Sequence, residues 1–320
     1  MAAITVKFVD FWSTWDGESN FIVDALRSRH SVTVLTGRDA VPDILFYSAL
    51  GYEHLRYDCV KVYFTGENDV PDFNECDYAL SPYYIDFDGR HLRYPLWAQD
   101  VDFRTVAAGK AASPTDDDAL NRGFCSLVVS NFRACDPMRV RVIEAVDSYK
   151  TLASGGRFRN NVGGPVANKM EFIAKYKFNL AAENSSAPGY TTEKLVEPMA
   201  AGTVPIYWGN PLVGTDFNKE AFIDLGDYSS TESAVKAIAA IDNDSQAYLK
   251  MLRAPKLRAD QQVDWDTLAA DFLCPIADNP QKRRLTSGIQ LTRHLDLTAA
   301  HWLYDKPLLR KIARFNSPGR

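Results

Sequence analysis

The sequence predicts an α/β protein of two domains, each built on a parallel sheet, and three observations carry that reading. The chain has 320 residues, too many for one ordinary domain and too few for three, so two domains of roughly 120 to 180 residues are expected. Its first third alternates short apolar runs with stretches at helical spacing, the rhythm of strands joined by crossovers. Its second half holds a strand, helix, strand succession between Phe178 and Trp208, a βαβ unit by pattern, whose crossover is right-handed almost without exception.

Taken in order, Ile4 to Phe11 is a half-alternating β-branched and aromatic strand, Phe21 to Arg29 is helical and Ser31 to Leu35 is a strand again. Asp43 to Tyr47, Lys61 to Thr65 and Tyr78 to Ser81 are short apolar runs bounded by Gly, Pro, Asn or Asp, read as further strands. Between Gly109 and Gly123 the chain turns small, polar and acidic without apolar period, which predicts a loop or linker near the domain boundary. A strand from Phe124 to Ser130 and a helix from about Pro137 open the second domain, the proline suiting a first turn and Val142, Ile143, Ala145, Val146 and Tyr149 forming its buried stripe. A helix around Glu193 to Ala201, ended by Gly202, separates the strands Phe178 to Ala182 and Val204 to Trp208. Pro198 inside that helix predicts either a kink or a regular part that begins at Glu197. The expected division is 1–122, 123–275 and a basic tail, 276–320.

Composition excludes several classes. Hydrophobic residues make up 46% and charged residues 24% of the chain, which is globular rather than disordered or fibrous. No run of 18 uncharged apolar residues occurs, and Met1 to Asp10 reads as a strand rather than a signal peptide. Cys59, Cys76, Cys125, Cys135 and Cys274 are scattered without a C-x-x-C pair, which fits a reducing compartment and gives no zinc pattern. The expected location is therefore the cytoplasm. A net charge of −5 speaks against a nucleic-acid partner. From Lys282 to Arg320, however, nine Lys or Arg face only Asp296 and Asp305. Within that tail Leu308, Leu309, Ile312 and Phe315 share one helical face, and Arg310, Lys311 and Arg314 another. Such a helix either lies on an anionic membrane face, making the protein peripheral there, or packs back on the domains.

The densest chemistry lies between Tyr176 and Gly209. A strand delivers Glu183 and Asn184 at its carboxyl end, a Pro-Gly loop follows, and Glu193-Lys194 open a helix. Ligands bind at that edge of an open α/β sheet. A helix start offers free N–H groups and a positive dipole end to phosphate, and Lys194 adds a full charge. Glu193 and Asn184 are then placed for sugar hydroxyls or a developing positive charge. Helix-start Glu and Lys also serve simply as caps and solvated charges.

The run Phe178-Asn179-Leu180-Ala181-Ala182-Glu183-Asn184-Ser185, then Gly189-Tyr190-Thr191-Thr192-Glu193-Lys194 and Gly202-Thr203-Val204-Pro205-Ile206-Tyr207-Trp208-Gly209, resembles the donor signature of the α-1,3/α-1,4-fucosyltransferases of bacterial type. That family reads approximately F-N-L-x-F-E-N-S, G-Y-x-T-E-K and G-x-V-P-V-Y-W-G. The resemblance extends more loosely over about Val62 to Leu225. It implies a GT-B architecture: two facing Rossmann-like domains with a cleft between them, acceptor and base on the first, GDP-fucose on the second. It implies that Arg139, Asn184, Tyr190, Glu193 and Lys194 contact GDP-fucose, with Lys194 and Arg139 on the diphosphate and Glu193 near the fucose. Arg139 rather than its neighbour Arg141 matches by its spacing to Tyr149. Tyr63-Phe64-Thr65-Gly66-Glu67-Asn68 resembles the family's T-G-E-N element and makes Glu67 the expected general base. Arg93-Tyr94-Pro95-Leu96-Trp97 also resembles the family, its aromatics either stacking on acceptor sugar or filling the core.

Departures are local: Ala182 stands where the family has an aromatic, and Ser186-Ala187-Pro188 and Pro198 vary. The D-x-D patterns Asp86-Phe87-Asp88 and Asp100-Val101-Asp102 hold metals elsewhere but arise easily among 41 acidic residues. No metal or other cofactor is expected, since Lys194 and Arg139 supply the phosphate charge. The resemblance thus implies inverting transfer of fucose from GDP-fucose to the 3-hydroxyl of GlcNAc or Glc in an oligosaccharide or glycoconjugate acceptor. A different nucleotide sugar, or a non-catalytic nucleotide- or carbohydrate-binding protein, stands as the alternative.

Overall fold

The computed structural model describes residues 2–130, 135–258, 260 and 263–284. Its contacts divide the described residues into two compact units, one of residues 2–94 and 263–284, the other of the residues between them.

The first unit is a six-stranded parallel sheet of β1 (Ala3–Val9), β2 (Ser31–Val34), β3 (Ile44–Tyr47), β4 (Val60–Phe64), β5 (Tyr78–Ser81) and β6 (His91–Arg93), in the order β2-β1-β3-β4-β5-β6. The strands β3, β4 and β5 are buried at every position, which is why they read as continuous apolar runs rather than alternating ones. Helix α1 (Phe21–Arg27) is capped by Asn20, whose side chain accepts the N–H groups of Ile22 and Val23. The aromatic content concentrates here: Phe8 stacks on Phe46 at 5.3 Å and Phe11 on Trp15 at 4.4 Å, contacts worth about 0.5–1.5 kcal/mol each beyond area burial.

The second unit has α2 (Val101–Ala107), α3 (Asp116–Leu120), β7 (Gly123–Leu127), α4 (Pro137–Tyr149), β8 (Ala153–Ser154), α5 (Lys169–Ile173), β9 (Tyr176–Ala182), α6 (Glu193–Ala200), β10 (Val204–Trp208), β11 (Ile223–Asp224), α7 (Thr231–Asp242) and α8 (Ser245–Arg253). Its parallel sheet runs β11-β10-β9-β7-β8. Val142, Ile143 and Val146 of α4 join Phe178, Leu180, Val204 and Ile206 in one core. α6 is helical through Pro198 and begins at Glu193.

Helix α9 (Trp265–Asp278) returns to the first unit. Trp265 meets Tyr94 edge-on at 5.8 Å, Phe272 meets Tyr78 at 6.3 Å, and Asp278 takes His30 at 2.9 Å.

Three expectations differ from this structure. The stretch 95–122 belongs with the second unit, because Trp97 packs on Phe217 at 5.1 Å, Ala112 N–H bonds Ala200 C=O at 2.8 Å and Arg122 bonds Gly202 C=O at 2.7 Å. Residues 263–278 form a helix of the first unit rather than the end of the second domain and the start of a tail. The expected linker contains α3, where Thr115 caps the Asp118 N–H at 3.1 Å and three acidic residues suit the positive helix end. β6 has only three residues, too few to show a period. Of the basic tail, Lys282, Arg283 and Arg284 pair with Asp58, Asp88 and Asp77 of the first unit. The tail residues from Leu308 to Phe315, and Asn131, lie outside the described residues.

Gly202 closes α6 at φ +64°, and a Cβ there would come within 2.4 Å of Ala112 C=O. Gly202→Ala should lower stability by about 1–3 kcal/mol. Urea unfolding with an unchanged midpoint would show that neither the left-handed backbone nor the close approach matters.

Candidate active site

The site grows from the carboxyl end of β9. Glu183 continues that strand, donating its N–H to Trp208 C=O at 2.8 Å, and is fully buried. A carboxylate there needs donors, and the start of α6 supplies them. Thr192 gives its N–H to Oε1 at 2.8 Å and its hydroxyl to Oε2 at 2.8 Å, while Lys194 Nζ stands 3.4 Å from Oε2. Thr192 is also the cap of α6 and accepts Lys194 Nζ at 3.0 Å. Lys194 further bonds Glu193 Oε1 at 3.1 Å.

The loop between them is tied down by a second set of buried polar groups. Asn210 Oδ1 accepts the Gly189 and Leu212 N–H groups at 2.8 Å each, its amide donates to Thr191 Oγ1 at 3.1 Å, and its own N–H donates to the Tyr207 hydroxyl at 3.0 Å. Gly209 has to be glycine: a Cβ there would fall 2.4 Å from Glu183 Cγ. Gly189 takes φ +92°, open to glycine at little cost.

Arg139 enters from the first turn of α4, which Asp136 caps at Met138 N–H, 2.8 Å. The side chain is buried and donates from Nη1 to Asn184 Oδ1 at 2.8 Å, and Asn184 C=O accepts the Asp136 N–H at 2.8 Å. Arg141, by contrast, is exposed. Arg139, Asn184, Glu193 and Lys194 are thus gathered around the β9 edge, with Tyr190 buried close enough to act on the Arg139 charge.

The electrostatics are those of a cationic cradle on an anionic base. Burial pulls Lys194 down, but Glu183 and Glu193 outweigh it and hold the ammonium above its usual value. Burial pushes Glu193 up, and the Lys194 and Lys169 charges reverse that and keep it below the usual carboxylate range. Burial raises Glu183 against the pull of Lys194. Burial also lowers Arg139 from its high ordinary value, and an arginine remains charged.

Glu67 lies in the first unit, exposed, beyond the carboxyl end of β4. Its N–H bonds Thr65 Oγ1 at 3.0 Å and its C=O accepts the Asp69 N–H at 2.9 Å, so the turn is fixed while the carboxylate stays open to solvent. Tyr94 and Trp97 are buried and fill core positions. Asp100 caps α2 through Asp102 N–H at 2.7 Å, and Asp88 takes Arg283. Among the described residues no group of three His, Cys, Asp or Glu is placed to hold a metal ion, and no helix is long and apolar enough to cross a membrane. All five cysteines are free thiols.

The comparisons fit this layout. Residues 6–99 match the model of the α-(1,3)-fucosyltransferase FucT N-terminal domain, and residues 121–290, more than half the chain, match that of the glycosyltransferase family 10 (fucosyltransferase) C-terminal region. The chain belongs to glycosyltransferase family 10, the fucosyltransferases. The α-(1,3)-fucosyltransferase FucT of Helicobacter pylori is 33% identical over 71% of this chain and 54% of its own length. The human 3-galactosyl-N-acetylglucosaminide 4-α-L-fucosyltransferase FUT3 is 28% identical over 52% of this chain and 45% of its own. The chain therefore spans about half the length of these curated relatives. A crystal structure of an α1,3-fucosyltransferase with GDP-fucose matches with a TM-score of 0.74 at 27% identity, covering 89% of this chain and 94% of that one. The two parallel-sheet units are thus those of a GT-B glycosyltransferase fold.

Three residues that build this candidate site escaped the sequence reading as functional positions: Glu183, Thr192 and Asn210. A threonine directly before Glu-Lys is a cap signal and marks Thr192. The loop-closing role of Asn210 carries no local signal, because Thr191 and Gly189, the loop residues it ties down, lie 19 and 21 residues away.

One turn after Glu193, Glu197 pairs with Lys169, yet burial pushes its carboxyl up to about 7. An unfolded glutamate titrates near about 4.3, so between there and about 7 the folded chain holds a proton the unfolded chain lacks, and stability falls as pH rises through that window. In Glu197→Gln this fall is absent, so the variant should gain on the parent by about 1–3 kcal/mol from pH 4 to pH 8. Denaturant midpoints that stay the same distance apart at both pH values would contradict it.

Proposed function

We propose that this chain is an inverting α-1,3-fucosyltransferase. It moves L-fucose from GDP-β-L-fucose to the 3-hydroxyl of GlcNAc or Glc in N-acetyllactosamine- or lactose-type acceptors, without a metal ion. The observation that carries the reading is the pairing of two cations, Arg139 and Lys194, around one sheet edge at the start of α6, the first held by half-buried Asn184 and the second by fully buried Glu183. Such a pair suits a nucleoside diphosphate leaving group, whose negative charge grows as the bond to the sugar breaks. The N–H groups and dipole of α6 add to the same effect. Two fixed cations supply the charge that a divalent ion supplies in other transferases.

Glu193 stays ionised beside Lys194 and is suited to hold fucose hydroxyls and to face the positive charge of an oxocarbenium-like ring. Asn184 and Tyr190 complete the donor contacts. Glu67, an exposed carboxylate on a fixed turn, takes the proton from the attacking acceptor hydroxyl. A single displacement then turns the β-linked donor into an α-fucoside. The α-1,3 linkage follows the names of the Helicobacter pylori relative and of the solved structure.

The reading predicts fucosylated product from GDP-fucose and lactose or N-acetyllactosamine in the presence of a chelator, with mass spectrometry giving the product and NMR the linkage. Lys194→Ala should lower kcat about 100-fold or more. Glu67→Ala should abolish transfer while GDP affinity is kept. Undiminished turnover in Glu67→Ala, or product from UDP-sugars alone, would overturn the assignment.

A further inference from the structure

Behind the cationic cradle, on the next turn of α6, lies a row of charges that no step of the transfer uses. Glu193 and Glu197 stand four residues apart and share one face of the helix. Lys169, the first residue of α5, forms an ion pair with Glu197 Oε2, which is buried and accepts no hydrogen bond beyond this pair. The same ammonium helps Lys194 to keep Glu193 ionised against its burial. Asp100, the cap of α2, adds a third carboxylate whose charge reaches both glutamates. Helix α6 packs against α2, α5, β9 and β10, and of the groups on these elements those that act on Glu197 are Lys169, Glu193 and Asp100. The strands add nothing to the row: β10 has no charged residue, and Lys177 of β9 is taken by Asp242.

The row alternates in sign and shares its cations. Lys194 lies between Glu183 and Glu193, and Lys169 between Glu193 and Glu197. When Lys169 is drawn to Glu197, Glu193 leans on Lys194 alone, and Lys194 has less charge to offer an anion. Burial holds the Glu197 carboxyl up at about 7, so its charge comes and goes in the neutral range. Lys194 and Glu193 keep theirs there, and so does Arg139.

We propose that the Lys169–Glu197 pair tunes how tightly the site holds the diphosphate of GDP-fucose. With Glu197 neutral, Lys169 serves Glu193 and the cradle is at its most cationic. When Glu197 loses its proton, one more negative charge stands behind the cradle and donor affinity falls. Both are positioning residues, acting through Glu193 and Lys194 without touching the donor. The proposal rests on the reading of Lys194 and Arg139 as the cradle of the diphosphate.

The test is calorimetric titration of GDP-fucose, without acceptor, at pH 6 and pH 8. The donor's diphosphate is esterified at both ends and has no proton to lose in that range, so a change with pH belongs to the protein. In the parent Kd should rise about threefold to tenfold from pH 6 to pH 8, the effect of one partly screened unit charge. Glu197→Gln should stay near the parent's pH 6 value at both. Lys169→Met should bind about threefold to tenfold more weakly than the parent at pH 6, and Lys169→Arg, which keeps the charge, like the parent. At pH 7 binding to the parent should take up protons, seen as an enthalpy that varies with the buffer's heat of ionisation, and binding to Glu197→Gln should take up fewer. Parallel pH slopes in the parent and Glu197→Gln would overturn the proposal. So would equal weakening in Glu197→Gln, Lys169→Met and Lys169→Arg, which would make the pair merely structural. Lys194→Ala separates the two readings: unchanged affinity there would sink the cradle itself, while weaker binding there with no effect of Glu197→Gln would sink only the tuning.

Discussion

A single buried carboxylate organises the candidate site of the second unit. Glu183 is closed off from water at the end of β9, where an unmatched charge is untenable. Its three donors are two groups of Thr192 and the ammonium of Lys194. Meeting that demand sets where α6 begins, how its cap is formed and where Lys194 is held. The neighbouring rules follow from the same constraint: position 209 has no space for a side chain, and Asn210 must close the loop behind. Asn184, the next residue, then orients Arg139 from α4. Several residues of the signature thus serve Glu183 or its loop before they serve any ligand.

Much of the fold was legible in the sequence for a physical reason. Strands buried on both faces read as unbroken apolar runs, so β5 and β10 appear with the same ends in sequence and structure and β3 and β4 within a residue, while the half-alternating β1 appears within two. Gly202 marks the stop after α6 because only glycine takes that φ cheaply. What was not legible was set by distant contacts. The placement of residues 95–122 depends on Phe217 and Ala200, and that of α9 on Tyr78, Tyr94 and His30. α3 is short and acidic, with Ala119 its buried contact, so no apolar period announces it.

The site divides in the same way. Arg139, Asn184, Glu193 and Lys194 stand in recognisable order along the chain, and the structure gathers them at one edge. Glu183 was visible at the strand end but not as the organiser, since a glutamate between a strand and a loop ordinarily reads as solvated. Its burial is a tertiary fact, created by β10 on one side and the loop to α6 on the other.

The most direct test of this account is calorimetric titration of GDP into the parent and into Glu183→Gln. A glutamine presents an uncharged N–H₂ where Lys194 and the Thr192 hydroxyl meet a carboxylate oxygen, so the start of α6 loses its anionic anchor although Lys194 remains. The account predicts GDP affinity lower by about tenfold or more, at least 1.4 kcal/mol, with GMP affected much less because it lacks the second phosphate. Equal GDP affinity in the folded variant and the parent would contradict the claim that Glu183 builds the phosphate cradle.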